Sequence, residues 1–268
     1  MPAYLETIIA AHRAMASSDH RDVQQAIEQA GIEADRLLTS RRSFPDAIRR
    51  ESEEQGMAVI SEIKRRSPSK GDLDVMLDPA EVAADYEAGG AACLSVLTDH
   101  EFFGGDPSDL RAARRACSLP VLRKDFTVSA LDLCDAVAMG ADAVLLIVAA
   151  LNDTELRSFL ELAARLSLAA LVEVHDAPEL ERALAAGARL VGVNQRDLRT
   201  FEVDHDRALA LGGMMPDDVV AVAESGIRTA ADVEALASAG YQAVLVGETL
   251  VRSGDRRAAV ADLLEVFQ

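Results

Sequence analysis

Val59–Gly71 reads Val-Ile-Ser-Glu-Ile-Lys-Arg-Arg-Ser-Pro-Ser-Lys-Gly, an apolar strand that runs into a polar turn. Strand side chains alternate between faces, so Ile60, Glu62 and Lys64 share one face and Ser61 and Ile63 the other. A carboxylate and an ammonium therefore sit together in an otherwise apolar strand. Burying such a pair is costly unless each charge is satisfied. The stretch also holds two of the chain's three lysines, Lys64 and Lys70; the third is Lys124, and every other member of the 27 Lys+Arg is arginine. Arginine meets the need for a surface cation nearly everywhere else, so the lysines mark places where guanidinium will not serve. A lysine whose pKa is lowered by burial can release a proton, which an arginine effectively cannot.

Outward from this stretch a rhythm appears. Short apolar runs occur at Ala58–Ile63, Ala92–Leu97, Pro120–Leu122, Ala143–Ile147, Ala169–Val174, Leu190–Val193, Val219–Val222 and Ala243–Val246. Runs apolar on both faces read as strands of a parallel sheet covered by helices. The helices between them carry start signals: Asp78 before Pro79, Thr229 before Val233, Leu236 and Ala237, and Asn152, a sequon asparagine better read as a cap. Gly90, Gly140, Gly187 and Gly240 each precede a strand, at a spacing of roughly fifty residues. Two β-α units per period and eight strands predict an α/β fold, a (β/α)8 TIM barrel with an N-terminal helical extension. A doubly wound open sheet is the alternative, but no glycine-rich dinucleotide turn follows the first strand. The expected organisation is a single barrel domain over residues 1–268, with residues 1–57 as the extension. There Leu5, Ile8 and Ile9 fall on one helical face, as do Val23, Ala26 and Ile27.

Barrel sites lie at the C-terminal ends of the strands. Those ends supply Glu62, Lys64, Ser95, Lys124, Leu145, Glu173, Asn194, Ser225-Gly226 and Gly247-Glu248. The turns after the seventh and eighth strands are where barrels take phosphate on backbone N–H groups. Gly226 and Gly247 would let the backbone approach an anion, and Ser225 could donate to it. Arg196 and Lys64 could hold a second anionic group, and Pro68, Phe103, Phe126 and Leu198 could wall an aromatic pocket.

Composition narrows the partners. The net charge of −18 disfavours nucleic acid and anionic membranes, so a site for an anion must be locally positive. No run is long enough to span a membrane, and Met-Pro-Ala-Tyr-Leu-Glu does not begin a secretory signal. Cys93, Cys117 and Cys134 are odd in number and lack metal spacing, which suits a reducing cytoplasm. The expected partner is a small phosphorylated molecule, bound by a monomer or weak homo-oligomer.

Six stretches also resemble one family, in its order. They are Ser61-Glu-Ile-Lys-Arg-Arg-Ser-Pro-Ser-Lys-Gly, Ser95-Val-Leu-Thr-Asp with Phe102-Phe-Gly-Gly, Val121-Leu-Arg-Lys-Asp-Phe, Leu171-Val-Glu-Val-His, Gly192-Val-Asn-Gln-Arg-Asp-Leu and Ala223-Glu-Ser-Gly-Ile. From about Ala58 to Arg252 the chain resembles indole-3-glycerol-phosphate synthase of tryptophan biosynthesis. The resemblance implies a carboxy-lyase acting on 1-(2-carboxyphenylamino)-1-deoxyribulose 5-phosphate, without metal or redox cofactor. It implies Lys124 as general acid, Glu173 as general base, Lys64 on the substrate carboxylate and Glu62 orienting them. Asn194 and Arg196 would lie near the substrate's hydroxyl and carboxylate groups. Ser67, Ser225, Gly226 and Gly247, with Glu248 beside them, match polar and phosphate-facing positions.

Four features depart from the family pattern: Gln195, Arg66, Glu248, and the loop Thr-Val-Ser-Ala-Leu-Asp-Leu after Phe126. They leave open a paralogue with the same chemistry in a specialised pathway. Two other readings compete. One is a Schiff-base sugar-phosphate aldolase using Lys64 or Lys124. The other is a non-catalytic barrel, against which the retained lysines argue.

Overall fold

Strong local signals start most of the helices. In the computed structural model, which describes residues 4–68, 70–197 and 201–267, α1 (Tyr4–Ser18), α2 (Val23–Leu37) and α3 (Phe44–Gln55) precede the first strand. Then come β1 (Ala58–Ile63), a small hairpin of β2 (Arg66–Ser67) and β3 (Gly71–Asp72), α4 (Pro79–Ala88), β4 (Cys93–Leu97), α5 (Pro107–Ala116), β5 (Val121–Lys124) and α6 (Ala130–Met139). The chain continues with β6 (Ala143–Ile147), α7 (Asp153–Arg165), β7 (Ala169–Val174), α8 (Ala177–Ala185), β8 (Leu190–Asn194), α9 (His205–Gly212) and β9 (Val220–Glu224). It ends with α10 (Ala230–Ser238), β10 (Ala243–Val246), α11 (Glu248–Val251) and α12 (Arg256–Leu264). Asp78 caps α4, Asn152 caps α7 and Thr229 caps α10, each accepting from backbone N–H groups of the first turn. Gly90, Gly140, Gly187 and Gly240 all take the left-handed conformation, with φ of 96°, 84°, 95° and 95°. A side chain there would be strained, so glycine ends the unit before the next strand begins.

The eight apolar runs close on themselves as a parallel barrel in the order β1-β10-β9-β8-β7-β6-β5-β4. Alternate residues divide between two cores. Val59, Val96, Val144, Val172 and Val193 face out and pack under the helices. Ile60, Leu122, Leu145, Leu171, Val222 and Leu245 face in. Phe44, Ala47 and Ile48 of α3 join this inner core, so α3 stoppers the end where the strands begin. The opposite end stays open. Among the described residues no helix is long and apolar enough to cross a membrane.

The expected strand bounds differ in an instructive way. The third, sixth and seventh strands run on to Lys124, Asn194 and Glu224. Apolar patterning stops before the polar Arg123 and Asn194, and Ala223 extends the seventh run, but backbone pairing carries on: Lys124 pairs with Leu97 and Glu224 with Leu245. The second strand begins at Cys93 rather than Ala92, and the third and seventh begin one residue after Pro120 and Val219. In α2 the face holds at Ala26 and Ile27, but Val23 is 46% exposed. It is the first helical residue after the Asp22 cap.

Candidate active site

The inward positions at the open end form one ring. Parity places Glu62 beyond Ile60, Lys124 beyond Leu122, Glu173 beyond Leu171 and Glu224 beyond Val222. These four come from β1, β5, β7 and β9, which alternate around the barrel. Barrel interiors are built in layers of four from alternate strands. Here the uppermost layer is ionic: three carboxylates and one ammonium, with each carboxylate at most 3% exposed.

Charge balance governs this layer. Lys124 Nζ lies 3.7 Å from Glu173 Oε2 and 3.8 Å from Glu224 Oε2. Lys64 pairs with Glu62 Oε1, and Ser95 Oγ donates to Glu62 Oε2 at 3.4 Å. Burial opposes the Glu62 charge, but Lys64, Lys124 and the Ser95 hydroxyl outweigh it and hold its pKa below the ordinary carboxylate value. Burial likewise opposes the Lys124 charge, but Glu173, Glu224 and Glu62 outweigh it and hold the ammonium charged far above neutral pH. Two ammonium groups cannot neutralise three carboxylates. Burial, then the neighbouring Glu173 charge, push Glu224 up to about 8, and a hydrogen bond with Glu173 keeps the shared proton.

Because folding raises this pKa, the folded chain holds a proton that the unfolded chain releases. The contribution is therefore full below the ordinary value of 4.5 and is lost as pH rises through about 8. Glu224→Gln cannot lose that proton. Its thermal midpoint, measured against pH, should gain on wild type across this window. Parallel midpoint curves would place the proton elsewhere.

Two glycines make room for the layer. A Cβ on Gly192, inward-facing on β8, would fall on Glu224 Oε1. A Cβ on Gly247 would lie 2.5 Å from Glu62 Oε1 and 3.1 Å from Lys64 Nζ. Gly247 is thus required by the Glu62–Lys64 pair, apart from any anion.

Above the layer lies a cavity of about 390 Å³. Lys64, Ser67, Pro68, Phe103, Lys124, Phe126, Glu173, Asn194, Arg196, Ser225, Gly226, Gly247 and Glu248 all line it, as does Glu62. Leu198 lies outside the described residues. Two features were not anticipated. Glu224 is in the wall, as are Tyr4, Leu5 and Ile8 of α1. Inward parity after Val222 could have found Glu224; nothing local signals where α1 lies. Behind the ring, His175 Nε2 is 3.5 Å from Glu173 Oε1 and its Nδ1 is 3.0 Å from Glu179.

The loops are tied together on one side of the mouth. Ser225 and Gly226 both have positive φ, 70° and 77°. Gln195 Nε2 donates to Ser225 O at 2.8 Å and fixes this turn. Asn194 Oδ1 accepts the Arg196 N–H at 3.0 Å, and Arg196 donates to Phe201 O at 3.0 Å. The Glu248 carboxylate faces Lys70 and Arg252, each at 4.0 Å. Arg66 reaches the carbonyls of His100 and Glu101. After Phe126 the chain is ordered by a capping box between Ser129 and Asp132. The departures in sequence therefore all have partners.

Among the described residues one group, His12, Asp99 and Asp125, brings possible metal-ligand atoms within 4.8 Å of one another. The Arg123 guanidinium sits 3.0 Å from Asp125, so the cluster is an ion-pair network already supplied with cations.

An ionic layer of buried acids and one ammonium at the C-terminal mouth of a (β/α)8 barrel is the layout of an acid–base enzyme of the barrel class. The family model described as indole-3-glycerol phosphate synthase matches residues 5–263. Curated proteins of that name from Beutenbergia cavernae and Kineococcus radiotolerans are 52% and 55% identical over 241 and 215 residues. These alignments cover 90% and 80% of this chain and 85% and 78% of the relatives. The chain belongs to the indole-3-glycerol phosphate synthase family. Solved structures show the same fold at low identity. A 3-hexulose-6-phosphate synthase has a TM-score of 0.59 at 17% identity, covering 79% of this chain and 100% of that one. A thiamine phosphate pyrophosphorylase from Pyrococcus furiosus has a TM-score of 0.58 at 17% identity, covering 79% and 95%.

Proposed function

We propose that this chain closes the indole ring of 1-(2-carboxyphenylamino)-1-deoxyribulose 5-phosphate, releasing CO2 and water to give indole-3-glycerol phosphate for tryptophan biosynthesis. The observation that carries the reading is Lys124, charged, held between Glu173 and Glu224 on the floor of the cavity. When the aryl carbon attacks the ribulose carbonyl, charge develops on the carbonyl oxygen. The Lys124 ammonium faces that position and can donate the proton. Loss of CO2 from the attacked carbon restores the aryl ring, and Glu173 takes the methylene proton that is lost as the new hydroxyl, protonated by an ammonium, leaves as water. Lys64 meets the substrate carboxylate, and Glu62 orients Lys64. Asn194 and Arg196 contact the hydroxyl and carboxylate groups.

Pro68, Phe103 and Phe126 supply the walls for the aryl ring, and Leu198 is assigned the same role from sequence. Ser67 and Ser225 donate to the substrate's polar end. The phosphate rests on backbone N–H groups at Gly226, Gly247 and Glu248, with Lys70 and Arg252 offsetting the Glu248 carboxylate. A Schiff-base aldolase needs a lysine with a lowered pKa; Lys124 is shifted the other way.

Residues 1–268 act as one domain in this reading, since α1 contributes to the cavity wall. A monomer or weak homo-oligomer is the assembly assigned in this reading. Three free, buried cysteines fit a reducing cytoplasm. The test is turnover by the purified protein with chelator present, followed by product fluorescence. Formation of indole-3-glycerol phosphate is expected. No product, or a borohydride-trapped covalent adduct with a sugar phosphate, would overturn the reading.

A further inference from the structure

Helix α1 meets the barrel mouth along one stripe, because Tyr4, Ile8 and His12 follow at intervals of four. Tyr4 and Ile8 line the cavity. His12, one turn further on, is only 9% exposed. Its Nε2 lies 2.9 Å from Asp99 Oδ2 and 4.0 Å from Asp125 Oδ1. Its ring packs on Phe126 with centroids 5.1 Å apart, and Phe126 lies 6.3 Å from Phe103. Asp99 Oδ1 in turn accepts the backbone N–H groups of Phe102 and Phe103 at 2.6 and 3.0 Å. One imidazole therefore touches Phe126 directly and reaches Phe103 through Asp99.

We propose that His12 is a positioning residue for the aryl-binding wall: as an imidazolium it clamps α1 to the loops after β4 and β5 and sets Phe103 and Phe126 for the substrate ring. This rests on the reading of the cavity given above. His12 touches no reacting atom in that reading; it acts through the two phenylalanines and through the placement of Tyr4 and Ile8.

The charged groups around His12 come from three neighbouring segments. Asp99 follows β4, Asp125 and Arg123 belong to the end of β5 and its loop, and Asp132 lies on α6. Arg123 is turned to Asp125 and Thr98. Asp19, Arg21, His100, Glu101 and Asp135 lie around the outer opening of the same hollow. Burial opposes the charge on His12. The Asp99 hydrogen bond, with the fields of Asp125, Asp99 and Asp132, outweighs burial and raises the pKa above 6.5. The clamp is therefore complete below the ordinary histidine value and weakens as pH rises through the raised one. Arg13 gives α1 a second hold, donating to Glu155 Oε1 and Ala150 O, each at 2.9 Å. That hold does not titrate in this range.

The test uses the full chain as wild type, His12→Gln and Arg13→Gln, from about pH 6 to about pH 9. KM and kcat are measured alongside hydrogen exchange of the α1 amides, corrected for its intrinsic pH dependence. Glutamine keeps a donor for Asp99 but does not titrate. In wild type KM should rise about tenfold across this range, the scale of one charge-assisted hydrogen bond lost. The kcat should change less, and α1 protection should fall in step with KM. In His12→Gln protection should be flat with pH, and KM should keep only the slope left by Glu224 as it loses its proton near about 8. Arg13→Gln should raise KM at every pH and keep the wild-type slope. The inference is overturned if wild type and His12→Gln share one pH dependence of α1 protection, whether or not KM follows. Protection that tracks His12 in a protein with no turnover would support the clamp and sink only the assigned reaction.

Discussion

Lys124→Met lowers kcat by roughly 10²-fold or more, with a smaller change in KM. Methionine fills the space but supplies neither the proton nor the positive field. Lys124 Nζ sits 3.7 and 3.8 Å from two buried carboxylates, so its loss has a second effect. Glu62, Glu173 and Glu224 then share one buried layer with Lys64 as the remaining lysine. Like charges so close cannot all stay ionised, and the layer takes up protons. The rate of Lys124→Met should therefore also depend on pH differently from wild type. Lys124→Arg restores the field but not the proton, and should recover little. A kcat within a few-fold of wild type in Lys124→Met would remove this residue from the acid's role.

The second large effect comes from a residue with no side chain. Gly192→Ala places a methyl group where Glu224 Oε1 now lies. The carboxyl must swing away, and the hydrogen bond that lets Glu224 and Glu173 share a proton is broken. Glu224 positions the Lys124 ammonium, and misplacing such a group by about 1 Å can cost 10²-fold, so kcat should fall by roughly that factor. Overpacking also costs about 1–3 kcal/mol of stability, visible in urea denaturation. Pairing the change with Glu224→Ala separates the two readings. If Gly192 serves only to seat Glu224, the double variant regains the stability lost to crowding but not the activity. A Gly192→Ala protein with normal kcat would show that the Glu224 position is unimportant.

The barrel was legible because its signals are local and repeated. Alternate β-branched residues, caps such as Asp78 and Thr229, and four left-handed glycines each act within a few residues of chain. Glu62, Lys64, Lys124, Glu173 and Asn194 stood out as polar groups ending apolar runs, and the structure brings them to one cavity. Glu224 escaped notice because the Ser225-Gly226 turn beside it offered a ready explanation for the same stretch. Its inward parity with Val220 and Val222 was the available clue. The contribution of α1 was illegible for a different reason. Tyr4 meets Phe102 and Phe201 with ring centroids 6.0 and 5.3 Å apart. Contacts so distant in sequence leave no pattern in the helix itself, which reads only as amphipathic. Gly192 and Gly247 are similar: their need for empty space is set by side chains on other strands.

The near-absence of lysine has a practical corollary. The three ε-amines, at positions 64, 70 and 124, all belong to the rim and floor of a single chamber. Reductive methylation with a carbon-13 reagent would thus label Lys70 at the rim and the chain's amino terminus, while Lys124, held charged among carboxylates, would resist it. The Lys70 resonance would report occupancy of the chamber, and the arginine-covered exterior would stay silent.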